Sequence, residues 1–138
     1  MIPVLLPSTT TANLAPMSNN VLALRGAITL DADERDHLLE RVQRLLGEMI
    51  ERNGLSHDDL ISILFTATDD VHSVFPALAA REMGLGDVPL MCARELDIVG
   101  AMPLCVRILM HVNTPRPRSE LRHVYLENAR TLRDDLPE

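Results

Sequence analysis

The sequence predicts an α+β fold with a sheet of about five strands, one long helix and two short helices. Short apolar runs separated by turn-forming residues predict the strands, whereas only one stretch carries a long helical repeat of apolar residues. With 138 residues, 46% of them hydrophobic and 24% charged, the chain has room for one domain with a substantial core.

Residues 1–20 contain no ionisable side chain and are rich in Pro, Thr, Ser and Asn. This composition has no helical period and predicts a disordered arm ahead of one folded domain at residues 21–138. The first strand is predicted at residues 21–28, where Arg25 shares a face with Ala23 and Ala27.

The long helix is predicted to follow this strand directly. Asp31 and Glu34 have the spacing of a capping box. Apolar residues then recur at helical spacing from Leu38 until the helix ends at Asn53 and Gly54. Further strands are predicted at residues 59–68, 88–92, 104–112 and 121–126, with a short helix at residues 75–83 that Gly84 ends and a short helical tail that carries Leu132 and Arg133.

The predicted strands are apolar on both faces, and the helices are too few to cover both sides of the sheet. Exposed apolar sheet of this kind is typical of a subunit interface. The sequence therefore predicts a homo-oligomer.

Composition excludes several classes of partner. A net charge of -7, a pI of about 5.1 and 2% aromatic residues argue against binding of nucleic acid. No apolar run approaches the roughly 18 residues of a membrane span, and the first residues lack the positive flank of a secretory signal. We therefore expect a cytoplasmic protein without membrane contact. Cys92 and Cys105 lack CxxC spacing and are predicted to be free thiols.

All 13 basic residues are arginine, which excludes chemistry that needs a lysine, such as Schiff-base formation. Arg25 and Arg107 are each the only charge in an apolar stretch, VLALRGAI and LCVRILMHV. A guanidinium is costly to desolvate without a partner. These two positions therefore predict a small anionic ligand or a carboxylate partner.

The motifs GxSxG, HExxH and GxGxxG do not occur in the sequence, and the five histidines do not cluster. Structural or solvent roles are therefore predicted for the histidines, and neither a metal nor a cofactor is predicted. The candidate site consists of Arg25, Arg81, Arg107, Arg133, Glu95, Cys92 and Tyr125. Two alternatives stay open at this point. Arg81 and Arg133 could be solvated surface charges, and Glu95 could serve only to neutralise Arg107 in a structural ion pair.

Four stretches carry a family resemblance in collinear order, namely LRGAITLD, FTATDDVHSVFPALAAREMGLGDVPLMCARELDIVGAM, CVRILMHV and RHVYLENARTLRDDL. Together they resemble the monofunctional chorismate mutases of the trimeric Bacillus type over about residues 22–136. The resemblance implies a mixed sheet with helices outside, packed as a trimeric pseudo-α/β barrel with active sites between subunits. It also implies an isomerase that converts chorismate to prephenate by a cofactor-free Claisen rearrangement in phenylalanine and tyrosine biosynthesis.

The resemblance also implies roles for the charged residues. Arg107 matches the arginine that contacts the substrate's ether oxygen and a carboxylate. Arg25 matches the first-strand arginine on a carboxylate, and Tyr125 matches the tyrosine that holds the same end. Glu95 matches the glutamate that accepts a hydrogen bond from the ring hydroxyl, with the Cys92 backbone and thiol close by.

The other matched residues surround the substrate. Phe75 and Ala77 resemble the pocket wall, and Arg81 resembles an arginine at the entrance. Leu132 and Arg133 resemble the mobile C-terminal tail that closes over bound ligand.

Two positions depart from the Bacillus pattern, since Leu78 replaces a lysine and Met91 replaces a threonine. These departures predict altered affinity rather than a different reaction. Two alternative functions stay open: another chorismate- or isochorismate-using enzyme, such as a lyase that releases pyruvate, and a non-catalytic module that binds a dicarboxylate.

Overall fold

The structure, a computed structural model, describes residues 19–133 and centres on a five-stranded mixed sheet with the strand order β3-β2-β4-β1-β5. The strands are β1, Asn20–Thr29; β2, Leu60–Ala67; β3, Leu90–Arg94; β4, Cys105–Thr114; and β5, Val124–Leu126. The α+β class and the sheet of five strands are confirmed. Of the predicted arm, residues 1–18 lie outside the described residues, and Asn20 is already the first residue of β1.

The two longest strands, β1 and β4, lie next to each other and run antiparallel from the pair Asn20 and Thr114 to the pair Thr29 and Cys105. On its other side β4 pairs with β2, also antiparallel. The two edge strands are short and parallel to their neighbours, β3 to β2 and β5 to β1. Because β4 contacts both β1 and β2, its side chains meet residues that are distant in sequence.

The long helix α1, Arg35–Arg52, covers one face of the sheet. Its start differs from the prediction, because Glu34 rather than Asp31 is the N-cap and accepts hydrogen bonds from the N–H groups of Asp36 and His37. The Asp31 carboxylate instead accepts a hydrogen bond from the buried side chain of Arg41. The capping-box prediction therefore placed the start of the helix three residues too early.

The main core lies between α1 and the sheet. Strand residues on this helix-covered face are fully or almost fully buried, and they are Leu24, Ile28, Ile63, Phe65, Val106, Ile108, Met110 and Val112. The helix approaches β1 closely at Gly26, where an added Cβ atom would lie 2.5 Å from the Sδ atom of Met49. This close approach explains a glycine in the middle of a strand.

The shorter elements begin or end slightly away from their predicted bounds. The helix α2, Ala77–Ala80, continues as a π-helical turn, Arg81–Leu85, in which Gly84 has a φ of 86° and breaks the helical geometry. The strand β3 begins only at Leu90, because the preceding Val88 N–H bonds to a turn carbonyl and Pro89 has no N–H to donate.

The C-terminal part contains the short strand β5 and a 3₁₀ helix, Glu127–Arg133, which agrees with the predicted helical tail. The strand β5 begins at Val124 rather than at residue 121, because Arg118–Glu120 form a 3₁₀ turn and the backbone of Arg122 bonds to the side chain of Asn53. Within residues 19–133, none of the helices has the length and apolar character needed to cross a membrane.

Candidate active site

The open face of the sheet, which is the face that α1 does not cover, carries the two arginines that the sequence singled out. Strand pairing places Thr66, Arg107, Ala27 and Tyr125 side by side in one row across β2, β4, β1 and β5. Arg25 lies two residues before Ala27 and therefore projects from the same face. Four strands thus contribute polar side chains to one surface.

Arg107 and Tyr125 are separated in this row by a single small residue, Ala27. Two strand spacings place their backbones roughly 10 Å apart. The short side chain of Ala27, which is buried, leaves space above the sheet between the two longer side chains. This arrangement suits a compact ligand held from both sides.

Glu95 follows β3 and lies beside Arg107. Its backbone N–H donates to the carbonyl of Ala67 at 3.0 Å, and its Oε2 atom accepts a hydrogen bond from the hydroxyl of Thr66. Its Oε1 atom lies 3.2 Å from the Nε atom of Arg107, so the two side chains form an ion pair. Glu95 therefore has its carboxylate fixed by one neutral and one charged neighbour.

Arg107 still presents much of its side chain to a ligand. The side chain is 40% exposed, whereas that of Glu95 is 18% exposed. The Nε atom of Arg107 is buried, and among the described residues it has no partner with hydrogen-bond geometry. The Glu95 pair therefore neutralises charge without satisfying the Nε–H donor of the guanidinium.

A second positive region lies where β5 joins β1. The backbone N–H of Arg25 donates to the Nδ1 atom of His123 at 2.9 Å. Burial lowers the pKa of His123, and the nearby positive charges of Arg25 and Arg133 lower it further. Within residues 19–133, no carboxylate forms an ion pair with the exposed side chain of Arg25. Arg25 therefore brings a positive charge to this end of the open face.

A small apolar cluster lies beneath these polar groups. Its buried members are Ala27, Cys105 and Ala129, and the partly buried Met102, Tyr125 and Leu132 pack against it. Burial raises the pKa of the Cys105 thiol to about 11, although the positive charge of Arg107 acts in the opposite direction. The thiol is therefore protonated at neutral pH and is not suited to act as a nucleophile.

The remaining predicted site residues form a second group at the β3 edge of the sheet. A cavity of about 760 Å³ is lined by parts of residues 67–76 and 92–94 and includes Phe75 and Cys92. Cys92 is paired with Phe65 and packs against the main core, on the opposite side of the sheet from the Glu95 carboxylate. Ala77 is buried in the main core, and Arg81 is exposed on the π-helical turn.

Within one chain, therefore, the predicted residues do not form a single site. The open-face group consists of Arg25, Glu95, Arg107, Tyr125, Leu132 and Arg133, and the edge group consists of Phe75, Ala77, Arg81 and Cys92. Of the two departures from the Bacillus pattern, Leu78 packs against the main core, whereas Met91 is 66% exposed at the β3 edge. No group of three or more metal-binding side chains occurs in the described part of the chain.

The sequence profile of the family described as chorismate mutase type I matches residues 21–136, which include both groups. The chain belongs to the type I chorismate mutase family. It is 40% identical to the chorismate mutase AroH of Bacillus subtilis over 117 residues, which cover 84% of this chain and 92% of that protein. It is 43% identical to the chorismate mutase AroH of Thermus thermophilus over 117 residues, which cover 84% of this chain and 96% of that protein.

A solved chorismate mutase from Clostridium thermocellum has the same fold. The two structures superpose with a TM-score of 0.79 at 46% sequence identity. The match covers 80% of this chain and 99% of the Clostridium thermocellum chain. The family resemblance found in the sequence is thereby confirmed, and so is the chorismate mutase fold.

Three residues that hold parts of this chorismate mutase in place were not predicted from the sequence. Thr66 bonds to Glu95, and His123 bonds to the backbone of Arg25. The Asp33 carboxylate accepts hydrogen bonds from the N–H groups of His72 and Ser73, in the loop that leads to Phe75. Thr66 is one of two polar residues in the mainly apolar strand β2, with Ser62, and could have been noticed. Nothing local in the sequence links Asp33 to that loop.

Proposed function

We propose that this chorismate mutase converts chorismate to prephenate with Arg107, Arg25 and Glu95 as its catalytic residues. The reaction is an intramolecular rearrangement in which one carbon–oxygen bond of the ether breaks while one carbon–carbon bond forms. All atoms stay in the product, so the chemistry needs no nucleophile, metal or organic cofactor. The protein's task is to fold a flexible dianion into its reactive shape and to stabilise the charge that develops on the ether oxygen.

The observation that supports this proposal best is the row of side chains on the open face. Arg107 and Tyr125 flank Ala27, and Arg25 projects beside them. Guanidinium groups bind carboxylates through two parallel hydrogen bonds, which fixes both position and orientation. Holding a reactive conformer in this way lowers the reaction barrier, because the reacting atoms are kept in the geometry in which they can bond.

Arg107 has the second task of donating a hydrogen bond to the ether oxygen as its negative charge grows. The Nε atom is buried and faces the Glu95 carboxylate, whereas the side chain as a whole is 40% exposed. Its other N–H groups are therefore the donors that would meet a ligand, and the Glu95 pair holds the guanidinium in place before the reaction starts. Glu95 lies 3.2 Å from the Nε atom, and we assign to its carboxylate the hydrogen bond from the ring hydroxyl. Together they would grip the ring and the breaking bond.

We further infer that the active enzyme is a homotrimer in which neighbouring subunits complete each site. The open-face group and the edge group do not meet within one chain, and a set of large apolar side chains is exposed near them, namely Phe75, Met91, Leu96, Ile98 and Val99. Exposed apolar surface of this kind favours a subunit interface. In this assembly the edge group of one subunit would face the arginines of the next.

Sedimentation velocity tests the trimer, and subunit mixing tests the shared site. Arg107→Lys and Phe75→Ala change different groups, so a mixture of the two refolded variants should contain hybrid sites with both groups intact and should regain activity. Mixing either variant with itself is the control. If the activity of the mixture does not exceed the summed activities of the two separate variants, both groups belong to the same subunit's site.

The catalytic role of Arg107 is tested by following loss of chorismate absorbance in the wild type and in Arg107→Lys. Lysine keeps the charge but loses the planar fork, so kcat should fall by at least about 10²-fold with little change in Tm. Arg35→Lys is the matched control, because Arg35 lies on α1, which covers the opposite face of the sheet, and its side chain is 54% exposed. Equal rates for Arg107→Lys and the wild type would remove Arg107 from the mechanism, and release of pyruvate would identify a lyase.

The product places the enzyme at the branch that leads to phenylalanine and tyrosine, as the family assignment indicates. A cytoplasmic location stays a prediction from the sequence. Fractionation of cells, followed by assay of chorismate mutase activity in each fraction, would test it.

A further inference from the structure

His123 occupies the point at which β5 joins β1, one residue before the paired part of the two strands. Its Nδ1 atom accepts a hydrogen bond of 2.9 Å from the backbone N–H of Arg25. The backbone pairs that follow are Gly26 with Val124 and Ala27 with Tyr125. The His123 side chain therefore adds one more link between the strands, directly at the arginine.

The bond fixes the protonation state of the ring. A backbone N–H can only donate, so the Nδ1 atom of His123 must carry no proton in this arrangement. The neutral ring consequently holds its proton on Nε2. A doubly protonated ring would present a donor to the donor of Arg25, and the link would be lost.

The chain immediately before His123 is fixed from the other side. The Asn53 side chain accepts a hydrogen bond from the N–H of Arg122 at 2.7 Å and donates one to its carbonyl at 2.9 Å. Asn53 is 1% exposed and donates a further hydrogen bond to the carbonyl of Met49 in α1. Asn53 thus holds this segment against α1, and His123 holds it against β1.

We propose that His123 is a positioning residue for the carboxylate-binding end of the site, because its bond to the Arg25 backbone sets the register in which Arg25 and Tyr125 act on the same substrate. This inference rests on the roles proposed for Arg25 and Tyr125. A misplacement of about 1 Å at such a site is enough to lower the rate by up to about 10²-fold. His123 itself need not touch the substrate.

The proposal predicts a dependence on pH with a definite sign. The charged groups that act on the ring are Arg25 from β1 and Arg133 from the C-terminal 3₁₀ helix, and both lower its pKa, as burial also does. The folded protein therefore binds this proton less readily than the unfolded chain, whose histidine has a pKa near 6.5. The link is fully present above pH 6.5 and is lost as the pH falls through the lower pKa of the folded state.

The test compares His123→Asn with His123→Gln in the full chain. Asparagine places an oxygen at the position of Nδ1, whereas glutamine places its polar atoms one bond further out. We expect kcat/KM for chorismate to stay within about threefold of wild type in His123→Asn and to fall about 10-fold or more in His123→Gln. We also expect kcat/KM of the wild type to decline at a pH below 6.5, and this decline should be absent in His123→Asn because asparagine does not titrate.

A readout independent of turnover is the nitrogen NMR spectrum of the imidazole ring in the wild type, which should report the Nε2–H form and its titration. Equal activity in both variants, an equal loss in both, or an unchanged acid decline in His123→Asn would each overturn the positioning role. If His123→Gln fails to fold, the pH profile of His123→Asn alone decides. If instead the wild type does not turn over chorismate, the proposed function fails, and the NMR result still judges the His123 link.

Discussion

The two faces of the sheet hold their side chains in place by different means. On the helix-covered face, Leu24, Ile28 and Phe65 are fully buried beneath α1, and exclusion of water from apolar surface keeps them there. On the open face, Arg25 and Arg107 remain exposed to different degrees. The backbone of Arg25 is held by a hydrogen bond to His123, and the side chain of Arg107 is held by its ion pair with Glu95. Because strand residues alternate between the faces, the same strands supply both the core and the site.

The comparison indicates that stability and catalysis can be changed separately in this protein. A substitution on the helix-covered face should lower the free energy of unfolding and leave the kinetics of the folded enzyme intact. A substitution on the open face should change the kinetics and leave the free energy of unfolding nearly intact. The side chains there are partly in contact with water and make a few specific polar contacts, so they contribute little packing.

The largest expected effect belongs to the helix-covered face. Leu46→Ala removes a fully buried side chain of α1 and should lower the free energy of unfolding by about 2 to 5 kcal/mol, because a cavity replaces packed atoms. Urea denaturation measures this change. The matched control is Glu51→Ala on the exposed side of the same helix, which should stay within about 0.5 kcal/mol of wild type.

The separation of the two faces would break down if Leu46→Ala also changed kcat of the fully folded enzyme by more than about twofold. Such a result would mean that packing against α1 sets the positions of the arginines on the other face of the sheet. A close-packed interior can transmit a displacement in this way because it is hardly compressible.

An intermediate effect is expected from Thr66, the hydroxyl that holds Glu95. Thr66→Val keeps the branched shape that suits a strand but removes the donor, so the Glu95 carboxylate loses one of its two fixed partners. We expect kcat/KM for chorismate to fall about 10-fold with only a small change in Tm. Steady-state kinetics and thermal unfolding measure the two quantities.

Thr66→Ser is the control, because serine keeps the hydroxyl, and its kcat/KM should remain within about threefold of wild type. Equal kinetics in Thr66→Val and Thr66→Ser would show that the ion pair with Arg107 alone is sufficient to place Glu95.

The smallest expected effect concerns the tail. Leu132 packs against the small cluster that also contacts Tyr125, and Arg133 acts electrostatically on His123. Ending the chain at Thr131 should raise KM several-fold and lower kcat by less than about threefold, as expected for a segment that mainly retains bound ligand. If kcat falls more than KM rises, the tail acts on the chemical step instead of on retention.

Much of the fold and part of the site could be predicted from local patterns. Alternation in β1 correctly separated Arg25 from Leu24 and Ile28, and the helical repeat correctly located α1. The start of α1 was misplaced because Asp31 is engaged by Arg41, a contact between side chains ten positions apart. The starts of β3 and β5 were misplaced for a different reason, because local turns precede both strands and the backbone bonds of those turns delay strand pairing.

The residues that hold the site could not be predicted in the same way. Thr66 reaches Glu95 and His123 reaches Arg25 only because β2, β4, β1 and β5 lie side by side in that order. The split between the open-face group and the edge group likewise depends on Cys92 facing the core while the Glu95 carboxylate faces the other side. The spacing of residues along the chain contains no direct information on such pairings.

The sequence by itself determined the spacing of apolar residues, with a period of two in the strands and 3.6 in α1. It also determined the positions of the arginines within apolar strands and the family to which the chain belongs. The periods and the arginine positions are local because each depends only on neighbours along the chain, and the family follows from four stretches in collinear order. Only the tertiary structure decided strand order, register and the polar partners of Arg107 and Arg25, because those depend on contacts between segments that are up to 98 residues apart.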